Sequence, residues 1–233
     1  MNILCTICAR GGSKGVKNKN LIPVNKKPLI YHTINVAKEI KNFDEIIISS
    51  DSKKIIEIGK YYKIQNTILR PKKFSRDNSA KIPAIRHALL KIEKIKKKKF
   101  DIIVDLDVTA PLKTKKDIIE ALKKFINGNY STLFSVTDCR KNPYYNCIEI
   151  KNNKITPIKK KSAFFTSRQE TPRVYDMNAA ISIWKRNVLL KNNSLFTKKT
   201  GIYLMPQYKS FDIDTKLDLE IVKFLFNKKN IFI

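Results

Sequence analysis

The stretch ILCTICARGGSKGVKNKN, residues 3–20, joins an apolar run to a basic, glycine-rich segment. Residues 3–8 have the composition of a buried strand. Consecutive glycines after it allow backbone N–H groups to converge on phosphate oxygens, while Arg10 adds a planar fork and Lys14 and Lys19 add point charges. The pattern matches neither the P-loop nor the dinucleotide fingerprint. We interpret it as a triphosphate-binding loop; a basic turn without a ligand is the alternative.

Two cysteines in this strand, Cys5 and Cys8, form a C-x-x-C pattern. Side chains alternate between the two faces of a strand, so an odd separation directs these thiols to opposite faces. They are therefore not expected to hold a metal together or to form a disulfide.

Outward from this stretch, strand patterns alternate with amphipathic helix patterns. The predicted strands are 3–8, 45–50, 65–69, 101–106 and 132–137, and the predicted helices are 29–40, 53–62, 82–95 and 116–126. This order predicts an α/β fold, a mostly parallel Rossmann-like sheet covered by helices. In such sheets ligands bind beyond the carboxyl ends of the strands. We expect a single domain over residues 1–233.

The regular alternation ends after residue 138. A hairpin is predicted around residues 151–154, followed by a strand at 179–184 and a helix at 215–226. Residues 140–176 are interpreted as a protruding extension that is too short to fold alone. We expect such an extension to pack against a second subunit.

A pair of carboxylates, Asp212 and Asp214, precedes the last predicted helix. In an extended segment, residues two apart face the same side. Mg²⁺ is commonly held by one or two carboxylates together with substrate phosphates and water. Asp214 could instead cap the helix, a common structural use of Asp. Combined with a triphosphate loop, the pair favours the metal interpretation.

The overall charge is strongly positive, at +28 over 233 residues. The excess is lysine spread along the chain, and no aromatic residues interleave with the basic runs as single-strand stacking would require. No apolar run is long enough to span a membrane. We expect a cytoplasmic protein with no nucleic-acid or membrane partner, whose charge attracts polyanionic substrates.

Several blocks carry a family resemblance. Residues 9–20 match the form A-R-x-x-S-K-G-x-x-x-K-N at every fixed position. Further blocks follow in order: I-S-S-D at 48–51, L-R-P at 69–71, D-N-S at 77–79, T-A-P-L at 109–112, R-Q at 168–169, N-A-A at 178–180 and D-I-D at 212–214. Together they resemble the acylneuraminate cytidylyltransferases, the CMP-sialic acid synthetases, over nearly the whole chain.

The resemblance implies a homodimeric enzyme that transfers CMP from CTP to the anomeric hydroxyl of a sugar acid, with an arm that helps to build the partner's site. It implies nucleotide binding by Ala9, Arg10, Gly11, Ser13, Lys14, Lys19, Asn20, Arg70, Asp77 and Ser79. The sugar acid would face Asp107, Tyr145, Arg168, Asn178 and Phe196. Mg²⁺ would be held by Asp212 and Asp214, and the catalytic residues would be Arg10, Lys19 and Asp214.

The sequence departs from the sialic-acid pattern on the sugar side. Asp107 stands where these enzymes usually carry glutamine, and Tyr145 stands where a lysine is expected. These features look like the branch that uses N,N′-diacetyllegionaminic acid. Asp107 could bond a sugar hydroxyl or amide or join the metal site, and Asp51 could cap a helix or lie in the nucleotide cleft.

Rival functions remain open on the sequence alone. A CMP-pseudaminic or CMP-Kdo synthetase would share the nucleotide chemistry. A GT-A glycosyltransferase is another rival, because Asp105 and Asp107 mimic its metal-binding D-x-D. A basic nucleic-acid-binding module is the remote alternative.

Overall fold

A seven-stranded sheet forms the centre of the protein. The computed structural model describes residues 1–12, 15–76, 80–159, 165 and 167–228, and of residue 168 the backbone alone. The strand order is β11-β7-β10-β6-β1-β4-β5. The strands are β1 (Ile3–Cys8), β4 (Glu45–Ser50), β5 (Asn66–Leu69), β6 (Ile102–Leu106), β7 (Thr132–Asp138), β10 (Tyr175–Lys185) and β11 (Thr200–Leu204).

Six of these strands run parallel, and β10 is antiparallel to its neighbours β6 and β7. The mostly parallel sheet predicted from the sequence is thus confirmed. Strand β1 is buried along its entire length, as expected for a central strand covered on both faces. The parallel strands direct their carboxyl ends to one edge of the sheet, which we call the carboxyl edge.

Helices cover both faces of the sheet. They are α1 (Leu29–Lys38), α2 (Lys53–Tyr61), α3 (Lys81–Lys96), α4 (Lys115–Asn127), α5 (Arg186–Lys191) and α6 (Lys216–Asn227). Apolar residues of α1, α4 and α6 share one buried cluster, and those of α3 and α5 share a second. Cys5 belongs to the first cluster and Cys8 to the second, which confirms that their side chains lie on opposite faces.

The predicted elements are present with small shifts at their ends, but α5 and β11 were not predicted. Strand β11 is short and begins with Thr200 and Gly201, so only its last three residues are large and apolar and it lacks a clear strand pattern. It nevertheless pairs along its length with β7, from Thr200 beside Thr132 to Leu204 beside Val136. Long-range pairing therefore decides the conformation of this segment.

Two small hairpins lie outside the central sheet. Strands β2 (Pro23–Val24) and β3 (Lys27–Pro28) follow the glycine-rich segment, and β8 (Ile148–Lys151) pairs with β9 (Lys154–Pro157). The second hairpin confirms the turn predicted at 151–154, where Asn152 and Asn153 have positive φ angles. Because β10 begins at Tyr175, Asp176 belongs to the central sheet rather than to the extension. In the described residues, no helix has the length and apolar character to cross a membrane.

Candidate active site

A cleft of about 270 Å³ opens at the carboxyl edge of the sheet. Its walls are formed by Cys8, Ala9, Arg10, Lys19, Asn20, Arg70, Phe74, Ser75, Arg76, Ala80, Lys81, Ala84, Asp107, Val108 and Thr109. Six predicted site residues are therefore brought together here, although they lie up to about 100 positions apart. A larger cavity, of about 470 Å³, is lined by residues such as Met1 and Asp101 near the opposite edge and includes none of the predicted residues.

The glycine-rich segment is anchored at its beginning by the sheet. The Ala9 amide donates to the Ser49 carbonyl at 3.0 Å, and the Gly11 amide donates to Asp51 Oδ1 at 2.9 Å. Asp51 is not the residue that caps α2, because Ser52 occupies that position. Of the two roles considered for Asp51, the structure favours the one at the cleft, where its carboxylate supports the loop.

Asn20 fixes the loop from its other end. Its side chain is almost fully buried, and its Nδ2 donates to the Arg10 carbonyl at 2.8 Å. Its Oδ1 is buried and accepts no hydrogen bond within the described part of the chain. The hydrogen bond from Asn20 therefore fixes the position of the Arg10 backbone.

The loop is in contact with the acidic segment near the end of the chain. Lys19 Nζ donates to Asp214 Oδ1 at 2.9 Å and to the Ile213 carbonyl at 2.5 Å. A Cβ added to Gly15 would lie 2.0 Å from the Asp214 carbonyl oxygen. Only glycine allows this approach, and the two motifs predicted to share a site are therefore adjacent.

Asp214 does not cap the last helix. The N-cap of α6 is Thr215, whose hydroxyl accepts from the Asp218 amide, while the Asp218 carboxylate accepts from the Thr215 amide at 2.7 Å. This reciprocal capping box leaves the Asp214 carboxylate available, and its side chain is 74% exposed. The capping alternative raised by the sequence is thus excluded.

The residues present fit a divalent cation bound at Asp212 and Asp214. Burial raises the pKa of Asp212, an effect only partly opposed by the side chain of Thr109. Asp212 Oδ1 is buried, and no hydrogen-bond donor reaches it from the described residues. A cation would satisfy this oxygen and favour the charged carboxylate. The described residues hold no group of three or more metal-ligating side chains, so substrate oxygens and water would complete the coordination.

A buried ion cluster that the sequence did not reveal lies beneath the cleft. Lys81 Nζ contacts Asp105 Oδ2 at 2.7 Å and forms a second, shorter ion pair with Asp107 Oδ2. Asp105 also accepts from the Thr6 hydroxyl at 2.6 Å. Burial opposes these charges, but their attraction outweighs it: the pKa of Asp107 lies well below its usual range and the pKa of Lys81 well above.

A second lysine, Lys113, is buried under the same loop. Its ammonium donates to the Ala110 carbonyl at 2.8 Å, to the Thr33 hydroxyl at 3.1 Å and to the Asp107 carbonyl. Within the described part of the chain no carboxylate contacts it directly, and burial lowers the pKa of Lys113 from 10.5 to about 8. The loop that carries Asp107 is therefore held by one ammonium group.

We expect this burial to produce a specific pH dependence of stability. Between the folded pKa of about 8 and the unfolded value of 10.5, the unfolded chain binds more protons than the folded chain. The free energy of unfolding should therefore rise with pH across this window, by about 3 kcal/mol from this group. Urea unfolding of the wild-type protein and of Lys113→Met, measured from pH 7 to 10.5, tests this expectation.

The difference in unfolding free energy between the wild type and Lys113→Met should change with pH, because methionine has no ionisable group. Lys115→Met, at an exposed position of α4, is the matched control and should follow the wild type. A constant difference between wild type and Lys113→Met would contradict the expectation.

The remaining predicted nucleotide residues are placed as follows. Arg70 is buried in the cleft wall, and its Nε donates to Ser75 Oγ at 2.7 Å. Four predicted residues lie outside the described residues, as does the side chain of Arg168: Ser13, Lys14, Asp77 and Ser79. Tyr145 lies in the extension with its side chain partly exposed, and its contact with the sugar stays a prediction.

The structure does not bring Phe196 to the cleft, and its contact with the sugar stays a prediction. The carbonyl of its neighbour Leu195 accepts from the hydroxyl of Thr132, the first residue of β7, at 2.6 Å. The Phe196 ring packs edge-on against Phe134, with centroids 5.5 Å apart. Phe196 therefore lies toward the amino end of β7, at the edge opposite the cleft, and forms no wall of it.

Asn178 is likewise not among the residues that line the cleft, and its contact with the sugar stays a prediction. Its side chain is only 4% exposed, and Oδ1 accepts from Ser135 Oγ at 2.6 Å while Nδ2 donates to Ser210 Oγ at 3.0 Å. These bonds tie β10 to β7 and to the segment that leads into Asp212. Asn178 therefore supports the acidic segment from inside the fold.

This combination of sheet, loop and acidic segment is that of a Rossmann-like nucleotidyltransferase. The chain belongs to the cytidylyltransferase family, whose profile matches residues 4–233. It is 45% identical over 229 residues to the CMP-N,N′-diacetyllegionaminic acid synthase of Campylobacter jejuni, an alignment that covers 98% of this chain and 97% of the relative. The post-translational flagellin modification protein B of Campylobacter coli has the same identity and coverage.

More distant relatives share the family. The chain is 30% identical to a pseudaminic acid cytidylyltransferase of Campylobacter jejuni, over 97% of both chains. Among solved structures, CMP:2-keto-3-deoxy-manno-octonic acid synthetase complexed with CTP matches with a TM-score of 0.74, at 15% identity, over 98% of this chain and 100% of that chain. At such low identity the match demonstrates the shared fold.

Proposed function

We propose that the chain transfers CMP from CTP to the anomeric hydroxyl of a nonulosonic acid, N,N′-diacetyllegionaminic acid, and releases pyrophosphate. The observation that carries this proposal is the contact of Lys19 with Asp214, which joins the glycine-rich loop to the acidic segment. The sugar is chosen because the relative at 45% identity is named for it, whereas the pseudaminic relative is 30% identical.

In the proposed reaction, the sugar hydroxyl attacks the α-phosphorus of CTP, and the bond to the β,γ-pyrophosphate breaks. Charge on the phosphoryl oxygens is stabilised by the Arg10 guanidinium and the Lys19 ammonium at the loop. Asn20 and Asp51 fix the loop backbone at Arg10 and Gly11, beside the position proposed for the phosphates. A magnesium ion at Asp212 and Asp214 would add positive charge against the phosphates.

The glycosyltransferase alternative is disfavoured by the state of its D-x-D motif. Asp105 is buried and bonded to Thr6 and Lys81, and Asp107 is bonded to Lys81 and Thr109. Two carboxylates that already share an ion pair with one ammonium are poor candidates for a shared metal site. We propose that the chain acts in the cytoplasm, where CTP is available, and that its positive charge attracts nucleotide rather than nucleic acid.

The test is a pyrophosphate-release assay with CTP, Mg²⁺ and a panel of free sugar acids. We expect release with N,N′-diacetyllegionaminic acid and much less with pseudaminic, sialic and 3-deoxy-manno-octulosonic acids. Activity with pseudaminic acid alone would overturn the choice of sugar. Absence of release with every sugar acid would overturn the proposed function itself.

We also propose a homodimer formed through the extension. Its hairpin carries a cross-strand pair of Ile150 and Ile155, which are 72% and 66% exposed. A two-stranded hairpin with an exposed apolar face is only marginally stable alone. Coverage of this face by a second copy would stabilise it.

Replacing both Ile150 and Ile155 with aspartate should therefore weaken the dimer by about tenfold or more, because buried charge replaces apolar contact. Sedimentation velocity across a concentration series measures this change. Thr156→Asp is the control, since Thr156 pairs with Glu149 on the opposite face of the hairpin. A wild-type protein that is monomeric at all concentrations would contradict the dimer.

A further inference from the structure

Lys81 occupies an unusual position between the sheet and the cleft. It is the first residue of α3, and its ammonium lies between the carboxylates of Asp105 and Asp107, from the end of β6 and the residue that follows it. Asp105 is 1% exposed, whereas the side chain of Lys81 is 38% exposed and lines the cleft. The cation thus connects two buried acids to the surface where substrate binds.

Asp107 lines the cleft, and its bonds to other described residues leave one acceptor position unused. Its Oδ1 accepts from both the amide and the hydroxyl of Thr109, at 3.0 and 2.9 Å, which uses the two lone pairs of that oxygen. Its Oδ2 accepts from Lys81 and keeps a second lone pair. The carboxylate therefore has a fixed orientation and can accept one further hydrogen bond.

The location of Lys81 and Asp107 indicates which substrate would contact them. The Thr109 carbonyl also accepts a hydrogen bond from the amide of Ile213, the residue between the two predicted metal ligands. Asp107 is therefore near the end of the cleft where the α-phosphate and the attacking sugar would react. Asn20 and Arg70, two of the predicted nucleotide residues, line the same cleft.

An isolated carboxylate here would repel a sugar acid, whose own carboxylate is negative at neutral pH. Lys81 reduces this repulsion because its ammonium pairs with Asp107 as well as with Asp105. We propose that Lys81 is a positioning residue for the sugar-acid site: it pairs with Asp107 and presents Asp107 Oδ2 as an acceptor for a sugar hydroxyl or amide N–H. This inference rests on the proposed function and extends it to a residue outside the resemblance.

The pair also accounts for the glutamine that the sialic-acid pattern carries at the position of Asp107. A glutamine amide offers a neutral acceptor without a counter-ion. An aspartate can offer the same acceptor to a sugar acid only when a cation compensates its charge. The aspartate side chain is shorter than that of glutamine, and its ion pair makes it more rigid. Lys81 and Asp107 therefore act as one unit.

The experiment compares Lys81→Met, Asp107→Asn and the double variant in the full-length protein. For each, the dissociation constant for CTP and the KM and kcat for N,N′-diacetyllegionaminic acid are measured. Lys81→Met should raise the KM for the sugar acid by about tenfold or more, with little change in CTP affinity, because it removes the cation that Asp105 and Asp107 share. The double variant should recover most of this loss, since it removes both charges.

Lys91→Met, at an exposed position on the same helix, is the matched control and should behave as the wild type. CTP binding by the variants shows that they are folded. A double variant no better than Lys81→Met, an unchanged KM in Lys81→Met, or an equal loss of CTP affinity would each overturn the inference. A wild-type protein without pyrophosphate release would instead refute the proposed function, so the two failures are distinguishable.

Discussion

Replacement of Asp214 with alanine should lower turnover by about a thousandfold or more, with CTP affinity largely retained. Asp214 is the exposed member of the acidic pair, and no helix cap occupies its carboxylate. The nucleotide loop keeps its own anchors at Ser49 and Asp51, so nucleotide binding does not depend on Asp214. The substitution should therefore lower the rate of the chemical step rather than the affinity for CTP.

A second variant separates the two roles that Asp214 could have. Asparagine preserves the size of the side chain and can still accept a hydrogen bond from Lys19, but it lacks the charge that a divalent cation requires. Asp214→Asn should therefore be nearly as inactive as Asp214→Ala if the residue binds Mg²⁺. It should keep most activity if its only role is to position Lys19.

The measurements are single-turnover pyrophosphate release and CTP binding at a series of Mg²⁺ concentrations. Glu220→Ala is the control, because Glu220 is an exposed acid on α6 that pairs with Lys223. Full activity of Asp214→Ala at saturating Mg²⁺ would contradict the metal role. A loss of CTP affinity as large as the loss of turnover would show that Asp214 acts mainly through the loop.

The nucleotide side of the site could be predicted because its residues form continuous stretches. The loop that follows β1 and the Asp212–Asp214 segment each carry their chemistry within a few positions, and the βαβ order places loops at the carboxyl edge. No sequence pattern distinguishes Lys81 from the many other lysines of this chain. Its function depends on partners that lie 24 and 26 positions away on a different element.

The sequence did not indicate where Asn178 and Phe196 lie, for two different physical reasons. Asn178 lies in an irregular part of β10, where the register with β7 shifts and Ala179 has a φ of 53°. A bulge changes the direction of nearby side chains, so simple alternation does not predict which way Asn178 points. Phe196 lies between α5 and β11, and without these elements the sequence does not indicate which edge of the sheet the segment occupies.

Gly15 should be the position in the loop least tolerant of a side chain, and Gly15→Ala should lower kcat/KM by about a hundredfold or more. The added Cβ would lie 2.0 Å from the Asp214 carbonyl oxygen, far inside van der Waals contact. Because that oxygen belongs to the backbone, the clash is relieved only if the loop or the acidic segment moves. Either movement separates Lys19 from Asp214, which are 2.9 Å apart.

Gly12→Ala provides the matched control within the same loop. A Cβ at Gly12 would meet no atom of the described residues within 4 Å, and neither glycine has a positive φ angle. Both substitutions therefore reduce the flexibility of the unfolded chain in the same way, and they differ in the clash alone. The comparison consists of kcat/KM for CTP and thermal unfolding of both variants.

We expect Gly12→Ala to retain activity unless its methyl group blocks an approaching phosphate, in which case KM for CTP rises and kcat does not. Gly15→Ala should instead lose kcat, because it displaces the groups that stabilise the transition state. Equal activities in the two variants would show that the loop moves away from Asp214 without cost. The contact between the loop and the acidic segment would then not be required to form the active site.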